Sequence, residues 1–222
     1  MAIKAIIFDF DGLILDTETP EFHSWQEIYA QYGAELSLEE WVACVGTTQE
    51  VFDPIENLQA RSNQTINPDQ TLKVLHEKAN RHIARQPILP GILDYLNEAK
   101  QLNLKIGLSS SSTREWVTGH LSRLNLLDYF DVICTSDDVK AVKPDPALYR
   151  CAAESLNLEP QAAIALEDSL NGMLSAKQAG LHCFVIPNPI TRYLDFKGAD
   201  GVFTALTDIS LADLIERCNG DK

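Results

Sequence analysis

Two acidic pairs, a run of four serines and one lysine stand where the chain could do chemistry. They are Asp9-Phe10-Asp11-Gly12, Glu167-Asp168-Ser169, Ser109-Ser110-Ser111-Ser112, and Lys143 within Lys143-Pro144-Asp145-Pro146. The carboxylates of Asp9, Asp11, Glu167 and Asp168, brought together, would repel one another unless a cation joined them. An all-oxygen donor set suits a hard ion such as Mg²⁺. Lys143 would add a fixed positive charge, and Ser110 and Ser111 with nearby backbone N–H groups could hold phosphate oxygens. Phosphoryl transfer needs this combination: positioning, and neutralisation of charge on the equatorial oxygens. An aspartate shielded by metal and lysine is an adequate nucleophile. A second aspartate two residues on could protonate the leaving oxygen and then deprotonate the attacking water.

These groups come together only if the fold brings them together, and the apolar pattern predicts that it does. Residues 4–10 form a short run rich in Ile and Phe, the mark of a strand buried on both faces. Similar runs recur at 104–109, 130–135, 162–166 and 182–187, with a weaker one at 201–205. Helical patterns lie between them, at 113–124, 145–156 and 170–179. The first places Trp116, Val117, His120, Leu121 and Leu124 on one face, and Gly180 follows the last as a C-cap. Alternating strands and helices predict an α/β fold, a Rossmann-like, mostly parallel sheet covered by helices on both faces. Ligands of such sheets sit at the carboxyl ends of the strands. The polar groups above end the first, second and fourth runs, and Lys143 precedes the helix after the third.

Residues 19–86 break this rhythm. Ser37-x-x-Glu40 reads as a capping box, and Leu72, Leu75, Ala79 and Ile83 make a helical stripe. Pro20 stands at one edge, Pro87 and Pro90 at the other. The pattern predicts a discontinuous α/β core of residues 1–17 and 87–222 with a small helical cap domain, 18–86, inserted after the first strand. Trp25, Tyr29 and Tyr32 are expected to pack within it.

Composition narrows the function classes. Lys and Arg number 18 against 32 Asp and Glu, a net charge of −14, so a general nucleic-acid partner is not expected. The N-terminal run is too short and too soon charged for a signal peptide or membrane span. The five cysteines are scattered without a C-x-x-C pair, which fits free thiols in a cytoplasmic protein. The partner expected is a small phosphorylated metabolite, and the chain a monomer or weak oligomer. The five histidines form no ligand-spaced pair.

Each motif alone has a plain reading. Asp-x-Asp-Gly is a common turn, Ser112 suits a helix N-cap, and Asp145 could cap a helix starting at Pro146. Glu167 and Asp168 would favour the start of the next helix through its dipole. Their ordered occurrence is what carries the argument. Phe8-Asp9-Phe10-Asp11-Gly12-Leu13-Ile14-Leu15-Asp16-Thr17-Glu18 resembles the signature of the haloacid dehalogenase-like superfamily, in its phosphatase branch. Ser110, Lys143 in Val-Lys-Pro-Asp-Pro, and Glu167-Asp168-Ser169 match its later motifs in order. The chain is most similar to the group of β-phosphoglucomutase and small sugar-phosphate phosphatases.

The resemblance implies Asp9 as nucleophile and metal ligand, and Asp11 as acid/base with its backbone carbonyl on the metal. It implies Glu167 and Asp168 as metal ligands, Ser110, Ser111 and Lys143 as phosphate-binding residues, and Arg114 as a further phosphate or substrate contact. A mutase of this group is the alternative. It carries an arginine where Gly46-Thr47-Thr48-Gln49 here has glutamine, and a histidine where Glu21 stands, although Arg61, Lys73 or Arg81 could replace that grip. A dehalogenase needs neither Asp11 nor the Glu167-Asp168 pair. A silent ligand-binding protein would have lost one of the groups present here. Lys143 reads as a lysine of the site rim, whose loss would cost rate and little stability.

Overall fold

The computed structural model describes residues 2–44 and 53–220. Strand β1 (Ala5–Phe8) is buried along its whole length, as an uninterrupted Ala-Ile-Ile-Phe run requires. It lies inside a six-stranded parallel sheet with β2 (Lys105–Ser109), β3 (Val132–Cys134), β4 (Ala163–Glu167), β5 (His182–Val185) and β6 (Gly201–Val202). The strand order is β3-β2-β1-β4-β5-β6. Phe8 stands opposite Leu108 on one side and Leu166 on the other. The next residues of the three strands, Asp9, Ser109 and Glu167, therefore emerge side by side. The strand order reverses at β1, so the crevice that such sheets offer ligands opens above it.

The period-two alternation of the strands sorts the core into two layers. Ile6, Phe8, Ile106, Leu108, Ile164 and Leu166 pack on one face against α5 (Ile92–Gln101), α6 (Arg114–Arg123) and α9 (Leu211–Gly220). Ala5, Ile7, Ala163, Ala165, Cys183 and Val185 pack on the other against α7 (Ala147–Ser155) and α8 (Leu170–Ala179). Each large side chain so buried contributes about 1.5–3 kcal/mol from its removal from water. The expected α/β layering is what the chain adopts.

Among the described residues, four helices lie between β1 and β2 ahead of α5: α1 (Glu18–Gln31), α2 (Leu38–Cys44), α3 (Pro54–Arg61) and α4 (Pro68–Ile83). Phe22, Trp25, Ile28, Tyr29, Leu58 and Leu75 form a third apolar cluster, which Ile190 joins from after β5, while Ala79 and Ile83 of α4 pack in the first. The capping box is in place. Glu40 Oε2 accepts from Ser37 N at 3.0 Å and from Ser37 Oγ at 2.8 Å, and Glu40 N donates to Ser37 Oγ at 3.3 Å. In α4 the buried stripe is Thr71, Leu75, Ala79 and Ile83, while Leu72 is 36% exposed. Thr71, four residues before Leu75, takes the place expected of Leu72 at the head of the stripe, and α4 packs against α1.

Three local expectations are corrected. Cys134, at the end of β3, and Cys151, on α7, are joined by a disulfide with Cα atoms 6.4 Å apart, where free thiols were expected. The crossover from β3 lays α7 back over the strand and brings the two together. Cysteine usage therefore no longer argues for a reducing compartment, although Cys183 is a buried free thiol. Helix α6 is capped by Thr113, which accepts from Trp116 N, and not by Ser112. Helix α7 starts at Ala147 with Pro146 outside it, and Asp145 Oδ1 accepts from Ala147 N at 2.9 Å. Among the described residues no helix is long and apolar enough to cross a membrane.

Candidate active site

Lys143 organises the acidic cluster. Its ammonium pairs with Asp9 and donates to Glu167 Oε1 at 2.6 Å and to the Ser109 carbonyl at 2.8 Å. Only 6% of its side chain is exposed, so it is a buried ion-pair centre and not the rim lysine expected from sequence. Tyr149 holds it from below, with its hydroxyl on Glu167 Oε1 at 2.6 Å and its ring 5.0 Å from the ammonium. Glu167 Oε2 accepts from Asp168 N at 3.2 Å and Ser169 Oγ at 3.1 Å. Asp168 in turn is held by Asn188 Nδ2 at 2.7 Å.

Oxygens of Asp9, Glu167 and Asp168 lie within 4.8 Å of one another, and all three residues are buried. Burial, then the neighbouring Glu167, pushes Asp9 up to about 8, with Lys143 opposing them. Burial, then Asp9 and Glu167, raises Asp168 well above the carboxylate range. Burial works to lower Lys143, but Asp9 and Glu167 outweigh it and raise its pKa. Three buried carboxylates share a single ammonium. A hard divalent cation would balance the charge left over, so the donor set fits Mg²⁺.

Asp11 faces the same space from the other side. Its Oδ2 accepts from Ser112 Oγ at 2.7 Å and Ser110 Oγ at 3.2 Å, and its Oδ1 accepts from Trp116 Nε1 at 2.9 Å. Ser110 is fully buried, and its Oγ also accepts from Ser112 N at 3.0 Å. Ser111 is exposed and lines the cleft. The turn of Asp9-x-Asp11 depends on Gly12, which has φ +82°. A Cβ there would come within 2.1 Å of Asp168 Oδ2 and 2.8 Å of Asn188 Nδ2. Gly12 therefore lets the first acidic motif close onto the last.

The sequence pattern of haloacid dehalogenase-like hydrolases matches residues 6–186, which holds every acidic, serine and lysine group just described. The chain belongs to that family. It is 43% identical to YhcW of Bacillus subtilis (strain 168) over 217 residues, 98% of each chain. It is 29% identical over 190 residues to the phosphorylated carbohydrates phosphatase of Thermotoga maritima, covering 81% of this chain and 82% of that one. Among solved structures, a CbbY variant from Rhodobacter sphaeroides in complex with xylulose-(1,5)bisphosphate superposes with a TM-score of 0.75. That pair is 29% identical, over 96% of this chain and 99% of the other. The chain is a hydrolase acting on phosphate monoesters.

In this haloacid dehalogenase-like hydrolase the cleft holds about 670 Å³. Asp9, Asp11, Ser111, Lys143 and Asp168 line it from the sheet, together with Thr17, Glu18, Glu21, His76 and Asn80 from the segment that follows β1 and from α1 and α4. Of the residues expected here, Arg114 alone is turned away. Its guanidinium bonds Asp138 at 2.6 Å and the Ile133 carbonyl at 3.0 Å, and its N–H donates to Asp137 at 2.9 Å. Closeness in sequence to the serines does not fix side-chain direction, and the first turn of α6 points Arg114 at the turn after β3. Sequence reasoning missed Trp116, Tyr149 and Asn188. Asn188 had a usable signal, since it follows the fifth apolar run as the acidic motifs follow theirs.

Glu167 reaches its place through Gly172. A Cβ at this position in the first turn of α8 would lie 1.9 Å from the Glu167 carboxylate. Gly172→Ala is expected to displace Glu167 from Lys143 and Tyr149. It should cost about 1–3 kcal/mol of stability from overpacking and slow phosphate release about a hundredfold through loss of Lys143 placement. Thermal melting and a phosphate-release assay would check both effects, and wild-type values would show that helix α8 can simply shift.

Proposed function

We propose that this protein is a Mg²⁺-dependent phosphatase of small phosphorylated sugars that works through an aspartyl-phosphate on Asp9. The observation that supports it most is the convergence of Asp9, Lys143 and Asp168 beside Asp11 at the mouth of the parallel sheet. The sugar class is supported by two relatives, one named for phosphorylated carbohydrates and one held with a sugar bisphosphate. Phosphorylated sugars are retained inside cells, which favours the cytoplasm.

The proposed reaction runs on these residues. An Asp9 oxygen attacks phosphorus and the ester bond to the leaving oxygen breaks, while Asp11 gives that oxygen its proton. Asp11 then takes a proton from water, whose oxygen attacks the same phosphorus. The phosphorus–Asp9 bond breaks, releasing inorganic phosphate. Lys143, Ser110 and Ser111 hold the phosphoryl oxygens. Asp9, Asp168 and the Asp11 backbone carbonyl would hold Mg²⁺, which supplies charge neutralisation on the phosphoryl group. Both Glu167 oxygens are engaged by Lys143, Tyr149, Asp168 and Ser169. Its proposed part in the metal site is therefore to fix Lys143 and Asp168. Arg114 has no part in the proposal.

Residues 18–86 are proposed as a cap domain over a core of 1–17 and 87–222. An apolar cluster built mostly from these residues supports this, as does the lining that α1 and α4 contribute to the cleft. Such a cap excludes bulk water during attack. The mutase reading gains no support here. Gln49 lies outside the described residues, and Glu21 lines the cleft. Arg61 is committed to Glu40 and the Glu35 carbonyl, and neither Lys73 nor Arg81 lines the cleft.

Phosphate release from a panel of sugar, nucleotide and p-nitrophenyl phosphates, with Mg²⁺ and with chelator, tests the function. Release should fall at least about a thousandfold with chelator, since the metal shields the anion Asp9 must approach. Saturating Mg²⁺ should also stabilise the protein, by about 2.7 kcal/mol at a hundred times its Kd. Primed isomerisation of hexose phosphates without net phosphate release would replace the phosphatase by the mutase.

A further inference from the structure

The turn after β5 touches the acidic cluster at one end and the apolar cluster of α1–α4 at the other. Its sequence is Ile186-Pro187-Asn188-Pro189-Ile190-Thr191. Asn188 Nδ2 donates to Asp168 Oδ2 at 2.7 Å. Two residues on, Ile190 is 2% exposed and belongs to the same cluster as Phe22, Trp25 and Leu75. Among the described residues, every other buried member of that cluster lies between residues 22 and 75. Ile190 is thus the α/β core's own side chain in it. Neither Asn188 nor Ile190 lines the cleft.

Hydrogen bonds inside the turn tie Asn188 to Ile190. Asn188 Oδ1 accepts from Ile190 N at 2.8 Å and from Thr191 N at 2.9 Å. Asn188 N donates to Thr191 Oγ1 at 3.0 Å, and the Asn188 carbonyl accepts from Arg192 N at 3.1 Å. Two N–H donors on Oδ1 decide which end of the amide faces Asp168. A flipped amide would set oxygen against the carboxylate and NH₂ against those donors. The backbone is also stiff. Pro187 and Pro189 fix their own φ, and each restricts the residue before it, so Asn188 is confined from both sides. Such a turn absorbs little of a shift at Ile190. The shift moves Oδ1, to which Ile190 N is bonded, and carries Nδ2 away from Asp168.

We propose that Ile190 is a positioning residue for the metal site: anchored in the apolar cluster of α1–α4, it holds Asn188 against Asp168 and so sets the affinity for Mg²⁺. A carboxylate ligand whose orientation is fixed beforehand by a donor binds its ion more tightly. The inference rests on the Mg²⁺ reading above.

Calorimetric titration of the purified protein with MgCl₂, without substrate, tests it. Asn188→Ala should raise the Mg²⁺ Kd about 10–100-fold, as loss of a hydrogen-bond partner of a metal ligand does. Ile190→Ala, which leaves every polar group in place, should raise it about tenfold. Ile190→Val, with a smaller cavity, should raise it about threefold and carries the test if Ile190→Ala does not fold. In the double variant Asn188→Ala/Ile190→Ala the Kd should be that of Asn188→Ala alone, because both act through one hydrogen bond. Leu214→Ala, a buried position on α9, supplies a destabilised control whose Kd should match wild type. A Kd that neither Ile190 variant moves, one that Leu214→Ala raises as far as Ile190→Ala, or effects that multiply in the double variant would each overturn the inference. Mg²⁺-dependent phosphate release by the wild type would keep the phosphatase reading in those cases. Absence of Mg²⁺ binding to the wild type overturns the Mg²⁺ reading and this inference with it.

Discussion

Asp9→Asn is expected to reduce turnover by about 10⁴-fold or more, the scale on which enzymes lose rate with their nucleophile. The amide is isosteric with the carboxylate but does not form the acyl phosphate. The fold should survive, because Lys143 keeps Glu167, the Ser109 carbonyl and the Tyr149 ring as partners. Stability without metal should change in a defined direction. Burial and Glu167 raise Asp9 from 3.8 to about 8 in the folded protein. A carboxyl raised on folding binds its proton more tightly in the native state. Its contribution is complete below the unfolded pKa and is lost as pH rises through the folded one. Metal-free wild type should therefore lose stability between about pH 4 and pH 8, and the variant should lack that component. Melting curves in chelator across this window would show it. Retained turnover in Asp9→Asn would remove Asp9 from the nucleophile role, and identical pH profiles would show that another group dominates.

How far the sequence could be read depended on what each signal encodes. Burial on both faces writes itself into a run such as Ala5–Phe8, so the strands were legible, and so were the polar residues that end them. Ends of elements were read less well, because a cap is decided by one hydrogen bond. Thr113 accepts from Trp116 N while Ser112 is drawn to Asp11. Tyr149 and Trp116 were hidden inside amphipathic helices, where an aromatic reads as core. Both are at once packed and polar partners, of Glu167 and Asp11 respectively. The disulfide between Cys134 and Cys151 follows from the crossover of α7 over β3, a tertiary fact that spacing does not hold. The burial of Lys143 belongs to the same class, and it reverses an expectation about stability.

Lys143→Ala is expected to be costly twice over. The variant leaves the Asp9 and Glu167 carboxylates buried without their shared cation, and the Ser109 carbonyl without its donor. Removing one partner of a buried ion pair typically costs about 3–5 kcal/mol, because the charge left behind is uncompensated. Turnover should fall about 10²–10³-fold through loss of a donor to the phosphoryl oxygens. The two losses separate under Mg²⁺. A divalent ion at Asp9 and Asp168 compensates the stranded charge, so saturating Mg²⁺ should shrink the stability deficit relative to wild type. It places no hydrogen-bond donor where the ammonium stood, so the rate deficit should persist. Adding Glu167→Gln should recover stability in the Lys143→Ala background but destabilise a chain that retains Lys143, a sign change that a double-mutant cycle reads directly. A single Lys143→Ala variant that melts like wild type without metal would return the lysine to the rim. A stability deficit that ignores both Mg²⁺ and Glu167→Gln would mean that the packing of its buried aliphatic stem, and not its charge, holds this end of the sheet together.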